Sequence, residues 1–299
     1  MSEARITIRT LFLSALLLSN WSSVPAQQLS REEIIKSLEK DGCVVLEQSK
    51  VKICKYDYSS DGNRVQAISY RPIDKGKFPG LLLIPGYQGD AMTYFPLAIV
   101  LAHQGFASLT VAQPGFGKSQ GKPDFVGPLT IKALMKGFKK FQSEPYVDRN
   151  KMGILGGSRG GMAASLLAVR LKHLKAAVFA SGIYDFKKAY DEIKIEGIRE
   201  NMLAESGMTS EAIKQRSSIL QMQKLNCPVL ILHGEKDENV PVSQAILLRD
   251  RLIALRKDFE IELFPNVKHD LPGAALGDSI NFLSRKIKGV AAKDLPKFR

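Results

Sequence analysis

Residues 156–160 carry the clearest chemical signal in this sequence, because they place a serine among glycines in the pattern G-x-S-x-G. The apolar run 151–155 precedes the pattern as a short buried strand would, and small residues follow it as a helix would. A serine on such a sharp turn exposes its hydroxyl, and the close packing of the turn requires small neighbours. The pattern therefore predicts that Ser158 is a nucleophile.

A nucleophilic serine needs a base that removes its proton and an acid that orients the base. The sequence has four histidines. His269 lies in the segment after the last predicted strand, where a loop can reach the serine, and we expect it to be the base. His233 ends a buried strand near the site by topology and is more simply a residue with a structural hydrogen bond. His103 and His173 are expected at the surface.

The orienting acid is expected in the loop after the most apolar predicted strand. Asp237 lies in that loop, and we predict that it is the acid. Glu235 and Glu238 are neighbouring alternatives. Asp185 follows an earlier strand and is a rival, although it is more simply explained as the N-cap of a helix.

Backbone N–H groups must also point at the oxyanion of the tetrahedral intermediate. We expect one from Arg159, the residue after the nucleophile, and the other from Tyr87 in the loop after the strand at 80–84, with Gln88 as the second candidate. The Arg159 side chain has two interpretations. It could attract an anionic substrate or, more simply, form a salt bridge behind the turn.

The elements that would position these groups alternate between strand-like and helix-like segments. Strands are expected at 80–84, 107–112, 151–156, 176–180, 228–232 and 259–264, and helices at 91–103, 129–143, 160–171, 242–256 and 278–290. Continuous Leu, Ile and Val runs indicate strands that are buried on both faces. The pattern therefore predicts a mostly parallel central sheet covered by helices on both faces.

Residues 185–223 interrupt this alternation with a long, charged and helix-prone stretch. An insertion at this point would lie over the carboxyl ends of the strands, where open α/β sheets bind ligands. We interpret it as a small helical cap. An ordinary crossover helix with a loose loop is the alternative.

The region before the alternating elements is expected to be antiparallel. Residues 30–41 are typical of a short helix, since Ser30 and Glu33 form the sequence signature of a capping box. A hairpin is predicted at 42–58, followed by an alternating strand at 64–71.

The three cysteines fit a structural role rather than a metal site. Cys43 and Cys54 lie in the two strands of the predicted hairpin, and a turn near 48–49 would place them opposite each other. We predict a disulfide between them, with two free buried thiols as the alternative. Cys227 is expected to be a buried free thiol. Without a matching histidine pair, the sequence indicates no zinc site, and we expect no cofactor.

Three segments resemble the prolyl-oligopeptidase and dienelactone-hydrolase-like branch of the α/β-hydrolases: they are 113–121, 146–161 and 228–241. The resemblance covers roughly residues 60–290, and the chain order serine, aspartate, histidine is that of α/β-hydrolases. It implies an α/β-hydrolase fold and serine hydrolase chemistry, with Ser158, Asp237 and His269 as the catalytic triad.

Two departures from the resemblance bear on the substrate. The oxyanion loop begins Pro85-Gly86-Tyr87 where many relatives have His-Gly-Gly, and the sequence has no room for the β-propeller that makes prolyl oligopeptidases select short peptides. We therefore predict hydrolysis of ester-type acyl bonds of small substrates through an acyl-enzyme. A peptidase that acts on short peptides and a non-catalytic binding protein are the alternatives.

The first 26 residues have the form of a secretory signal peptide. A positive n-region precedes an apolar run at 11–21, which is shorter than the ~20 residues of a membrane-spanning helix, and small residues follow at 24–26. We predict cleavage after Ala26, a periplasmic or extracellular enzyme without a transmembrane anchor, and one domain over residues 27–299. The net charge is +13, but the basic residues are scattered and no nucleic-acid motif is present.

Overall fold

The computed structural model describes residues 30–296, so the predicted signal peptide at 1–26 lies outside the described residues. The strands are β1 (Cys43–Leu46), β2 (Val51–Lys55), β3 (Tyr58–Ser60), β4 (Asn63–Val65), β5 (Ala67–Pro72), β6 (Phe78–Ile84), β7 (Ala107–Val111), β8 (Val147–Gly157), β9 (Leu174–Ala180), β10 (Val229–Gly234) and β11 (Phe259–Phe264).

The helices alternate with these strands. They are α1 (Arg31–Asp41), α2 (Phe95–His103), α3 (Pro128–Gln142), α4 (Arg159–Ala168), α5 (Phe186–Glu192), α6 (Glu196–Ser206), α7 (Ser210–Arg216), α8 (Ser243–Ala254) and α9 (Gly273–Leu283). Short 3₁₀ segments lie at Ser218–Lys224 and Ala292–Asp294, and a π-helical turn at Ser284–Lys288 extends α9. No helix between residues 30 and 296 is long and apolar enough to cross a membrane.

Nine of these strands form one sheet in the order β1-β2-β5-β7-β6-β8-β9-β10-β11. Neighbours pair in parallel along the run β7-β6-β8-β9-β10-β11. At the other side of the sheet, β1, β2 and β5 pair antiparallel, and β5 also pairs antiparallel with β7. This confirms the predicted fold, a mostly parallel sheet with an N-terminal antiparallel hairpin. A separate ribbon of β3 and β4 was not predicted.

The two faces of the sheet pack into two apolar layers, and β6 shows how its sequence serves both. Leu82 and Ile84 belong to the layer under α3, α4 and α8, while Leu81 and Leu83 belong to the layer under α1, α2 and α9. All four side chains are fully buried. Burial stabilises the fold by roughly 1.5–3 kcal/mol for each such side chain, which fixes the carboxyl ends of the strands as a rigid edge.

The N-terminal region follows the prediction with one difference. Ser30 and Glu33 form the capping box of α1, and a disulfide joins Cys43 to Cys54, which lie opposite each other on β1 and β2. The strand predicted at 64–71 is divided at Gln66, because the Gln66 N–H donates to Ser119 Oγ at 2.8 Å instead of continuing one ladder.

Candidate active site

Ser158 occupies the turn between β8 and α4 with φ 55° and ψ −123°, a backbone conformation that non-glycine residues rarely adopt. The flanking glycines make the turn possible. A Cβ on Gly156 would lie 2.1 Å from the carbonyl oxygen of Gly160, and a Cβ on Gly160 would lie 1.9 Å from that of Ile84. The side chain of Ser158 therefore stands at the edge of the sheet, where it is partly exposed.

His269 reaches Ser158 from the loop between β11 and α9. Its Nε2 lies 2.8 Å from Ser158 Oγ, and its Nδ1 lies 2.7 Å from Asp237 Oδ2. The structure thus brings together the three residues that the sequence predicted as nucleophile, base and acid. A neutral imidazole held in this way can accept the serine proton, and the carboxylate can stabilise the resulting imidazolium.

Asp237 is fully buried, and its second carboxylate oxygen is occupied by backbone groups. Oδ1 accepts hydrogen bonds from the N–H groups of Asn239 and Val240, both at 2.9 Å. Burial of the carboxyl opposes its ionisation, but the hydrogen bonds from His233 and His269 outweigh burial and hold the pKa of Asp237 below its ordinary value. The carboxyl is therefore an anion with a fixed orientation.

His233 lies beside Asp237, in agreement with its predicted place near the site, although the contact between the two side chains was not predicted. The side chain is fully buried, and its Nε2–H is shared between the Val240 carbonyl oxygen at 2.9 Å and Asp237 Oδ2 at 3.3 Å. The signal that could have found this contact is the i, i+4 spacing of His233 and Asp237 across the end of β10.

The other candidate acids lie elsewhere. Asp185 is the N-cap of α5 and accepts from the Lys188 N–H at 3.1 Å. Glu235 is exposed, and Glu238 lies 3.6 Å from Lys268 at the surface. Within residues 30–296, no group of three or more metal-ligating side chains could hold a metal ion.

The loop after β6 lies against Ser158. A Cβ on Gly86 would be 3.2 Å from the Cβ of Ser158, which is closer than ordinary van der Waals contact, and Tyr87 follows directly. The Tyr87 side chain is 49% exposed, packs edge-on against Phe116 at 5.3 Å and has its hydroxyl 3.4 Å from Asn201 of α6. The predicted donor loop is therefore next to Ser158.

The Arg159 side chain forms the salt bridge that was the simpler of its two interpretations. Its guanidinium binds both carboxylate oxygens of Glu205, at 3.1 and 2.6 Å, and lies 4.9 and 4.7 Å from the ring centroids of Phe116 and Phe125. Sequence reasoning missed Glu205, which lies on α6 and belongs to no motif. The guanidinium is consequently not open to an anionic substrate.

The profile of the prolyl oligopeptidase family matches residues 126–287. The chain is also 30% identical over 229 residues to YtmA, an uncharacterised peptidase of Bacillus subtilis, and this match covers 74% of the chain and 88% of YtmA. The chain belongs to the prolyl oligopeptidase family. The match to YuxL, another uncharacterised peptidase of that bacterium, has 27% identity and spans 34% of YuxL.

Solved structures agree on the fold. The acylaminoacyl peptidase of Pyrococcus horikoshii superposes with a TM-score of 0.71 at 19% identity, over 83% of this chain and 44% of that one. Acetyl xylan esterase 1 of Thermoanaerobacterium superposes with a TM-score of 0.64 at 16% identity, over 79% of this chain and 83% of that one. The fold is that of α/β-hydrolases, and this member of the family is a serine hydrolase.

Proposed function

We propose that this enzyme hydrolyses ester-type acyl bonds of small substrates through an acyl-enzyme, with Ser158 as nucleophile, His269 as base and Asp237 as orienting acid. The observation that carries the proposal is the unbroken hydrogen-bonded relay at 2.8 and 2.7 Å. The turn after β8 and the loops after β10 and β11 hold the three groups in one geometry, so little reorganisation precedes the reaction.

The steps follow from that relay. His269 takes the proton of Ser158 Oγ as the oxygen attacks the carbonyl carbon, and Asp237 stabilises the imidazolium that forms. The backbone N–H groups of Tyr87 and Arg159 donate to the oxyanion. His269 then gives the proton to the leaving oxygen, and a water molecule repeats both steps to release the acid.

The surroundings of Ser158 support a small uncharged acyl group. Arg159 and Glu205 neutralise each other in a buried pair, so neither is available for a charged terminus of a substrate. The half-exposed ring of Tyr87 offers an apolar surface beside the nucleophile.

Hydrolysis of short peptides is the second candidate, and the match to the peptidase YtmA over 88% of its length favours it. Rates with p-nitrophenyl acetate and butyrate should be compared with rates for aminoacyl-naphthylamides, with Ser158→Ala as the matched control. We expect the esters to be hydrolysed and the naphthylamides to show no measurable turnover. Efficient amide hydrolysis would make the enzyme a peptidase, and failure of a fluorophosphonate to label Ser158 would rule out both candidates.

We also propose that residues 1–26 are removed during export. The Cys43–Cys54 disulfide supports this, because disulfides persist in oxidising compartments. Mass spectrometry of the protein from the periplasm or medium should find Gln27 as the first residue. An intact N-terminus on protein confined to the cytoplasm would contradict the proposal.

A further inference from the structure

We infer that Glu205 of α6 is a positioning residue. Through Arg159 and Gln113, it fixes the separation between the two backbone segments that would form the oxyanion hole. The inference rests on the proposed function, since it assumes that Ser158 is the nucleophile and that the N–H groups of Arg159 and Tyr87 are the oxyanion donors.

The first link joins the helix to the residue after the nucleophile. Glu205 and Arg159 make two hydrogen bonds in a fork-to-fork arrangement, and their side chains are only 12% and 3% exposed. Planar bidentate pairs restrain direction as well as distance. The Arg159 side chain therefore ties the first residue of α4 to a fixed point on α6.

The second link continues to the other half of the oxyanion hole. Arg159 Nε donates to Gln113 Oε1 at 3.3 Å, and Gln113 Nε2 donates to the carbonyl oxygen of Pro85 at 2.8 Å. Gln113 is almost fully buried. Its amide has one orientation, because a flip would turn the NH₂ group toward the guanidinium. Pro85 begins the loop that carries Tyr87.

The third link is a strained turn that Glu205 also holds. Phe125 and Val126 have φ values of 42° and 59°, which are unfavourable for any non-glycine residue and most of all for a β-branched one. The Phe125 N–H donates to Glu205 Oε2 at 2.7 Å, and its ring lies 4.7 Å from the Arg159 guanidinium. Such strain persists only where the surroundings over-determine it.

Stability alone does not account for this arrangement. A buried ion pair loses so much hydration that an apolar pair of similar size is often equally stable or better. Oxyanion donors, however, must lie within about 2.7–3.1 Å of an oxygen that exists only in the transition state. A network that fixes the donors should therefore affect kcat more than KM.

The test begins with Glu205→Gln, which keeps the shape of the side chain and removes its charge. With p-nitrophenyl butyrate, we expect kcat to fall about 10- to 100-fold while KM stays within about 3-fold. Glu260→Gln is the matched control, because Glu260 makes the same bidentate pair with Arg285, at 3.0 and 2.6 Å, on β11. The kcat of Glu260→Gln should equal that of the wild type. Equal kcat values for Glu205→Gln and Glu260→Gln would overturn the inference.

Two further variants separate positioning from folding. Gln113→Leu leaves the ion pair intact and removes both hydrogen bonds of the Gln113 amide, the one from Arg159 Nε and the one to the Pro85 carbonyl oxygen, and we expect a comparable loss of kcat. The double variant Arg159→Met with Glu205→Leu should unfold no more easily than Glu205→Gln and should still be slow. Wild-type kcat in the double variant or in Gln113→Leu would overturn the inference. An active Ser158→Ala protein would instead remove the proposed function itself.

Discussion

The nucleophile turn at 156–161 and the helical segment at 185–223 approach the same serine, but they are held in different ways. The turn is held by backbone packing, with no room for a Cβ on Gly156 or Gly160. The helical segment is held by side chains: Phe186 and Met202 are buried in the core, Glu205 pairs with Arg159, and Arg216 donates to backbone carbonyl groups. Under the proposed function, the backbone of the sheet edge would fix the reacting groups, while the surrounding side chains would adjust their geometry and select the substrate.

Substitution of Ser158, the proposed nucleophile, should give the largest effect. Ser158→Ala should fold normally and lose about 10⁴–10⁶ in kcat, and His269→Ala should lose as much, since the two act as one unit. Ester hydrolysis and thermal unfolding measure the two properties separately. A folded Ser158→Ala protein with a tenth of the wild-type rate would place the chemistry outside the turn.

Substitution of the acid should come next. Asp237→Asn should reduce kcat by up to ~10⁴, because an amide favours the wrong tautomer of the imidazole. Asp185→Asn is the control, since Asp185 only caps α5, and it should change stability alone. An inactive Asp185→Asn protein beside a nearly normal Asp237→Asn protein would move the acid to the loop after β9.

The contrast between these regions also explains what the sequence could predict. The turn has a local signature, and the alternation of strands and helices places His269 and Asp237 at the same edge. Glu205 meets Arg159 from 46 positions away, and no local pattern reports such a contact. The bond between His233 and Asp237 was also missed, because a strand-end histidine has many simpler roles.

His233 supports the turn indirectly, so its substitution should have a moderate effect that depends on pH. His233→Asn removes a hydrogen bond that lowers the pKa of Asp237. A carboxyl with a lowered pKa stabilises the fold above its ordinary pKa, near 4, and this contribution is lost as the pH falls through the lowered value.

The stability difference between wild type and His233→Asn should therefore be present at pH 7 and shrink as the pH approaches 2. We expect kcat at pH 7 to fall only a few-fold, because Asp237 stays ionised. Denaturant unfolding across this pH range measures the first effect. A difference that grows on acidification would mean that His233 stabilises the protonated carboxyl instead.

Tyr87 tests whether the side chains around the turn select substrates. Tyr87→Ala keeps the backbone N–H and removes the exposed ring, so kcat should change little. An aromatic contact is worth about 1 kcal/mol, which predicts a KM about five-fold higher for butyrate than in the wild type. Tyr87→Phe keeps the ring, loses only the contact with Asn201 and should resemble the wild type. A large loss of kcat in Tyr87→Ala would mean that the ring contributes to the chemical step.

The N-terminal hairpin should give the smallest effect on activity, since β1 is the fifth strand from β8 in the sheet and lies ~24 Å from it. Replacing Cys43 and Cys54 with serine should destabilise the fold by roughly 2–3 kcal/mol, the value expected for closing so short a loop. Counting the reactive thiols of the native protein checks the disulfide. Cys227 does not complicate that count, because burial raises the pKa of its thiol to about 12. Unfolding in denaturant should reveal the loss while kcat at 25 °C is unchanged. A fall in kcat without a change in the unfolding midpoint would mean that the edge hairpin is coupled to the turn at 156–161. The geometry of the turn would then depend on parts of the sheet that do not contact it.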